Sequence, residues 1–370
     1  MARIVSLAKT VAKRILLRGQ VLREQYTLAR AKLSVEARLD GQPKTVALVG
    51  CGIQGRTIAG AMKLLPSWQL TTIFDLKREA AEQIRGQYWP KANVPADSDA
   101  FWAAAAQADV LAIATTAPSH FALTTKAMES GARAILLEKP ITNRLADADA
   151  LVETSRRTGC RVAVDHVRRY LPSTEGLKRL INRQILGPPR SASYQYGRAG
   201  FAMIGTHLFD MARYLFDAEI VKLRAELDPE LHPVDRGPQF IDHAGRCEAK
   251  LSNGVRFSLD LSGNLQYRQQ LMIVTCDRGR IEIDGERGQL RMYGAGEHTW
   301  DSQYLTSSLD LTVARAILEL GQGKAPRCSL EDGRAALEAA IACQVSAREN
   351  GRWVELPLTG EVRQEAFPFA

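Results

Sequence analysis

A chain of 370 residues, 45% of them hydrophobic, has enough material for two cores, so two globular domains are expected. No apolar run approaches the roughly 20 residues of a membrane-spanning helix; the longest, such as 110–116, have the length of buried strands. The formal charge of +8 is concentrated in residues 1–40, where nine Lys/Arg against three Asp/Glu give +6. The rest of the chain is nearly balanced and shows no basic patch interleaved with aromatics, so no nucleic-acid partner is expected. Six scattered cysteines, with no C-x-x-C pair and no histidines placed as ligands, predict neither a metal site nor a disulfide framework, and fit a reducing cytoplasm.

In the N-terminal extension, 1–43, Ile4, Leu7, Val11, Ile15, Leu22, Tyr26 and Leu33 recur every three to four residues with basic residues between them. That is the pattern of a basic amphipathic helix. Three roles fit it: docking on the body or on another subunit, lying peripherally on an anionic membrane, or serving as a cleaved presequence, since acidic residues are absent before Glu24. Gln42 and Pro43 read as a linker.

The stretch 44–49 is a short apolar strand running into Gly50-Cys51-Gly52-Ile53-Gln54-Gly55 and a helix over 56–65. Strand, glycine turn and helix form a dinucleotide cradle: Gly50 makes the tight turn, Gly52 lets backbone approach a pyrophosphate, and Gly55 permits close packing. A second strand, 70–74, ends at Asp75, placed to bind adenosine ribose hydroxyls. An acid there favours NAD, while Lys77 and Arg78 leave NADP open. Helix 98–107, strand 109–115, helix 121–130 and strand 133–137 continue the alternation, which predicts a parallel, doubly wound sheet over 44–165. Thr115, Thr116, Pro118 and His120 follow a strand's C-terminal end, where such sheets bind ligands.

The strand over 133–137 ends in Glu138-Lys139-Pro140, a strand over 161–164 leads to Asp165-His166-Val167-Arg168-Arg169-Tyr170, and Gly205-Thr206-His207-Leu208-Phe209-Asp210 follows. With the glycine turn upstream, this ordered set resembles the glucose-fructose oxidoreductase, inositol dehydrogenase and rhizopine catabolism (Gfo/Idh/MocA) family over roughly 45–356. The resemblance implies an α/β chain: an N-terminal Rossmann domain and an α+β substrate and oligomerisation domain, 166–357, with an open, mainly antiparallel sheet. Strands over 191–196, 245–251, 255–261, 270–275 and 280–283 fit that sheet. Helices over 309–320 and 330–349 are expected to pack back on the Rossmann domain, followed by a tail, 358–370.

The resemblance further implies NAD as cofactor, a sugar, nucleotide sugar or cyclitol as substrate, and a homodimer or tetramer joined through the exposed face of the second sheet. Lys139, beside Glu138 at the cofactor, would hydrogen-bond the reacting oxygen, and His207 would act as general base. Many relatives carry an aspartate one helical turn before that histidine; here the position is Met203. Arg169, Tyr196, Arg198 and Asp210 are candidates to substitute for it. His166, Arg168 and Arg169 stand where the domains meet, either clamping an anionic substrate or forming interdomain salt bridges. Two rival functions remain: a glycosidase that oxidises its substrate transiently on a retained NAD, and a nucleotide-binding scaffold or sensor impaired by Met203.

Overall fold

The computed structural model describes residues 30–37, 43–197, 199–232, 236–262, 269–294, 297–303 and 309–370. Of the amphipathic extension, only 30–37 lies within these segments; it is helical, and Leu33 and Ala37 are fully buried in the core of the first domain. Docking on the body therefore holds for this eight-residue stretch of helix, and the membrane and presequence roles concern residues outside those described.

Five strands form the first sheet: β1 (Lys44–Val49), β2 (Trp68–Phe74), β3 (Val110–Ile113), β4 (Ala134–Leu137) and β5 (Arg161–Val164). They are parallel in the order β2-β1-β3-β4-β5. All residues of β3 and β4 are buried, because helices cover both faces of a parallel sheet. On those faces lie α1 (Ile53–Ala61), α2 (Arg78–Tyr88), α3 (Ser98–Ala105), α4 (Ala117–Glu129) and α5 (Leu145–Thr158). The start of α4 is four residues earlier than its apolar pattern predicts, since Pro118 occupies the first turn, where a missing N–H costs little. The order reverses between β2-β1 and β3-β4-β5, opening a crevice above the carboxyl edge at the β1/β3 boundary.

A short turn of 3₁₀ helix, Val167–Tyr170, and α6 (Pro172–Asn182) lead into the second domain. Its strands are β6 (Pro189–Gly197), β7 (Ile220–His232), β8 (Asp242–Leu251), β9 (Arg256–Ser262), β10 (Gln270–Cys276), β11 (Gly279–Asp284), β12 (Gln289–Gly294), β13 (Glu297–Gln303) and, near the C-terminus, β14 (Val354–Glu355). They form one nine-stranded sheet, antiparallel except where β6 pairs with β9. Strict alternation sorts its faces: on β8, Cys247, Ala249 and Leu251 point into the core while Arg246, Glu248 and Lys250 are exposed. The exposed face is laced with ion pairs such as Arg224–Glu248 and Arg280–Glu282 rather than apolar.

Between β6 and β7, α7 (Thr206–Phe216) crosses toward the first domain. Helix α8 (Leu309–Gly321) belongs to the Rossmann core, as expected. Helix α9 (Leu330–Arg348) also packs on that domain, and on the second as well, being wedged between the two. Gly333 lies flush against Ile141 and Val164 of the first domain, while Ser346 Oγ accepts the Ala225 N–H of β7 at 2.8 Å. Asp332, which completes a capping box with Ser329, also receives Arg169 and Arg213, joining the inter-domain segment, α7 and α9. The tail is not loose: Phe367 and Phe369 are buried, and the Ile241 N–H donates to Pro368 O.

Candidate active site

The carboxyl ends of the five parallel strands deliver Gly50, Asp75, Thr115, Glu138-Lys139 and Asp165 to one edge. At the glycine turn, Gly50 has φ +94°, and a Cβ there would stand 2.6 Å from the Ala114 backbone. A Cβ on Gly55 would come within 2.1 Å of Gly50 O. Gly52 differs: nothing lies within 4 Å of where its Cβ would be, so protein packing does not explain it. An open cradle over the N-terminus of α1, which has no side-chain cap and no acid in its first turn, suits a phosphate-bearing ligand. The Asp75 carboxylate is fixed beside it, accepting Cys51 N–H at 2.7 Å and Lys77 N–H at 2.8 Å. Ile53 and Leu76, 63% and 94% exposed, flank these groups as uncovered apolar surface. Arg78 is committed to the carbonyls of Val94 and Pro95 and to Glu82, leaving Lys77 as the exposed cation nearest Asp75 in sequence.

Thr115 and Thr116 are half-buried and Pro118 exposed at the head of α4. His120 corrects its assignment as a cofactor contact: it is fully buried, its Nδ1 2.8 Å from Pro140 O and its Nε2 3.2 Å from Thr115 O. Its ring sits between two site loops; burial lowers its pKa, and the neutral imidazole donates to only one of the two carbonyls.

Lys139 is 6% exposed, and its ammonium donates to Met203 O at 3.0 Å. An ammonium has three N–H groups, so others remain for a ligand. Burial lowers its pKa below the ordinary lysine value, opposed first by Glu138. Glu138 in turn accepts the Lys139 backbone N–H and pairs with Arg236 at 3.4 Å. Lys139 lines a cavity of about 280 Å³ together with Gln54, Asp165, Tyr196, His207 and Arg236. Gln54 donates to Asp165 Oδ2, whereas Asp165 Oδ1 is buried with no hydrogen-bond partner among the described residues. Burial, with Glu138 second, pushes the Asp165 pKa well up.

His207 is half-buried at the start of α7, its Nδ1 3.2 Å from His166 Nδ1. One proton serves that contact, so each imidazole is donor or acceptor according to the other's tautomer, and Nε2 of His207 is left to meet a ligand. Burial holds His166 down to about 4 and His207 well below the usual histidine range, so both rings are neutral at pH 7. His166, expected to contact substrate, contacts His207.

Arg169 corrects the expectation of a substrate clamp. It is 6% exposed, and its guanidinium is taken by Asp210 at 2.6 and 2.8 Å, by Asp332 at 3.0 Å and by Arg327 O. The interdomain salt bridge, the other reading open for it, is what the structure contains. Asp210 is thereby also removed as a substitute for the acid absent at Met203. Tyr196 remains in the cavity wall, its hydroxyl accepting from Gln270 at 3.1 Å, with the Arg168 guanidinium over its ring at 5.5 Å. Arg198 lies outside the described residues. No metal-binding group of three or more His, Cys, Asp or Glu is found among the described residues, and their six cysteines are unbridged.

A glycine-turn cradle, an acid at the end of the second strand and a buried lysine on the carboxyl edge of a doubly wound sheet define an NAD-binding oxidoreductase, and the residues present fit that cofactor. The chain belongs to the Gfo/Idh/MocA family: residues 44–166 match the oxidoreductase family's NAD-binding Rossmann fold and 179–291 its C-terminal domain. It is similar to a D-apiose dehydrogenase of Paraburkholderia graminis, 27% identical over 350 residues, covering 84% of this chain and 89% of that protein. An inositol 2-dehydrogenase of Acidothermus cellulolyticus is 24% identical, covering 65% and 74% respectively. Among solved structures, an Agrobacterium radiobacter oxidoreductase in complex with NAD+, L-tartaric acid and magnesium superposes with a TM-score of 0.74 at 20% identity, covering 85% of this chain and 98% of that one. A levoglucosan dehydrogenase in complex with NADH and levoglucosan gives 0.73 at 20% identity, covering 86% and 100%. The chain is a family dehydrogenase acting on CH–OH groups with NAD.

The glycine contrast yields a prediction. Gly52→Ala will fold and melt as the wild type but bind NAD at least about tenfold more weakly, because its methyl occupies only ligand space. Gly55→Ala will lower the melting temperature, because its methyl meets backbone. Thermal melts and calorimetric titration with NAD read both; normal NAD affinity in the Gly52 variant would remove the cradle.

Proposed function

We propose that this protein moves a hydride between NAD and a secondary hydroxyl or carbonyl of a sugar, nucleotide sugar or cyclitol, with Lys139 and His207 as its catalytic residues. The observation that carries the proposal is that both side chains enter one cavity beside the glycine turn. When bound, NAD supplies the hydride acceptor or donor. Lys139 donates a hydrogen bond to the reacting oxygen and stabilises charge developing there while Met203 O holds the ammonium in place. In the oxidative direction His207 takes the hydroxyl proton at Nε2, its Nδ1–H being turned toward His166. In reduction the step runs backward: the His207 imidazolium returns the Nε2 proton to the oxygen and keeps its Nδ1–H toward His166. Gly50, Gly52, Ile53, Gln54 and Gly55 cradle the dinucleotide, Asp75 its ribose, and Thr115, Thr116, Pro118 and Glu138 border it. Asp75 facing the ribose favours NAD over NADP, for which Lys77 alone is placed.

Substrate is held by Tyr196 and by His207, and the Asp165 carboxyl lines the same cavity. A polyhydroxylated ligand matches such a wall, because each hydroxyl both donates and accepts. The same names recur among similar proteins, whose substrates include UDP-N-acetylglucosamine and inositols. A cytoplasmic setting is proposed on six buried, unbridged cysteines, and a homo-oligomer on the family resemblance alone. No helix among the described residues is long and apolar enough to cross a membrane.

The test is a panel of sugars, sugar acids, nucleotide sugars and cyclitols offered with NAD, following nicotinamide absorbance. Turnover with at least one member, abolished by Lys139→Met, is expected. Product formation without net NADH would instead identify glycosidase-type chemistry on a retained cofactor, and tight NAD binding with no turnover on any member would identify a sensor.

A further inference from the structure

Asp242, the first residue of β8, is a buried acid with no role in the site as so far described. It is 4% exposed. Its two oxygens accept the backbone N–H groups of Ala202 and Met203 at 2.7 and 2.9 Å. These amides belong to the single π-helical turn, Phe201–Gly205, that precedes α7, a turn with no side-chain cap of its own. The carboxylate therefore caps the turn from another strand. Gly200 makes the approach possible, since a Cβ there would lie 2.2 Å from Asp242 Cγ. One residue on, the Met203 carbonyl carries the Lys139 ammonium. Ile241, beside the acid, is itself pinned to the C-terminal tail through Pro368 O.

We infer that Asp242 is a positioning residue for Lys139: by clamping the Ala202 and Met203 amides it fixes the carbonyl on which the lysine rests, and it supplies the negative charge that the Met203 side chain lacks. The inference rests on the proposed role of Lys139 and deepens it. Burial raises the Asp242 pKa to about 6, against the two amides and Lys139, so the group is an anion in the neutral range. Lys139 is otherwise faced by Glu138 and Asp165, by Arg236, and by the neutral His166 and His207. Removing the charge at Asp242 will make that ammonium easier to deprotonate.

The test compares wild type with Asp242→Asn and Lys139→Met, full-length. Turnover is followed together with the rate at which acetic anhydride labels the Lys139 amine across pH, read by peptide mass spectrometry. Asp242→Asn is expected to bind NAD normally, to lose about tenfold to a hundredfold in kcat, and to move Lys139 half-labelling down by about one pH unit. Should the asparagine variant not fold, Gly200→Ala keeps the charge while forcing it off the two amides, and the same loss of kcat is expected. Unchanged kcat with unchanged labelling overturns the inference, as does a loss that merely tracks loss of folded protein. If Lys139→Met is dead while Asp242→Asn is normal, only the role of Asp242 fails; if Lys139→Met turns over, the catalytic reading itself fails.

Discussion

Replacing Lys139 with methionine will lower kcat by about a hundredfold to a thousandfold, the usual effect of deleting one donor to a developing oxyanion, with little change in NAD affinity. The two side chains are similar in length, so the substitution removes charge and hydrogen bonds while filling most of the same space. Most of the groups proposed to hold the dinucleotide, the glycine turn, Asp75 and Thr115-Thr116, follow β1, β2 and β3 rather than β4, which is why affinity and turnover separate. In the wild type, deprotonation of this lysine abolishes its donor strength. Because burial lowers its pKa, the alkaline limb of the rate profile falls below 10.5, the ordinary lysine value, and it should be missing from the residual activity of Lys139→Met. A rate profile measured to high pH on both proteins checks this.

His207→Asn is expected to lose about a hundredfold to ten-thousandfold in kcat, the range associated with a positioned general base. The base works when neutral. With its pKa held well below 6.5, first by burial and next by His166, the neutral ring persists as pH falls through 6.5, so the acid limb of the wild-type profile lies beneath that value. His166→Ala removes the adjacent ring and admits water. The histidine then ionises more readily, and the acid limb moves upward toward 6.5. A downward or absent shift would mean that burial and the neighbouring His166 ring are not what hold the His207 pKa down.

Much of the first domain was legible from local signals. A glycine turn after an apolar strand and before a helix, an acid at the end of the second strand, and Glu138-Lys139-Pro140 after the fourth are spaced by the repeating βα unit itself, so sequence order maps onto one edge of the sheet. The same logic, carried to the fifth strand, would have singled out Asp165, which lines the cavity. Helix α5 was harder to see, because Asp147, Asp149, Thr154 and two arginines thin its apolar stripe. Strand β7 was hidden by Pro229, which reads as a break yet is tolerated where the ladder is already irregular, between Leu227 and Leu231.

What sequence could not supply was long-range pairing. His166 and His207 are 41 residues apart, Lys139 and Met203 are 64 apart, and Asp242 reaches the same turn from another strand. No periodicity links such positions; only the docking of the two domains does. The fate of Arg169 shows the same limit from the other side. An arginine at a domain junction suits a carboxylate ligand or a carboxylate side chain equally well, and the choice fell to Asp210, buried at 0% exposure on α7. Removing either partner would strand a charge in the core, so this pair is better read as architecture than as chemistry.

The most direct test of the central claim is a crystal structure of this protein with NADH and a substrate from the panel. The account predicts the dinucleotide over Gly52 and the nicotinamide next to Lys139, with Lys139 Nζ and His207 Nε2 each about 2.6–3.2 Å from the reacting oxygen. A nicotinamide bound away from Lys139, or a substrate oxygen beyond reach of both side chains, would contradict it.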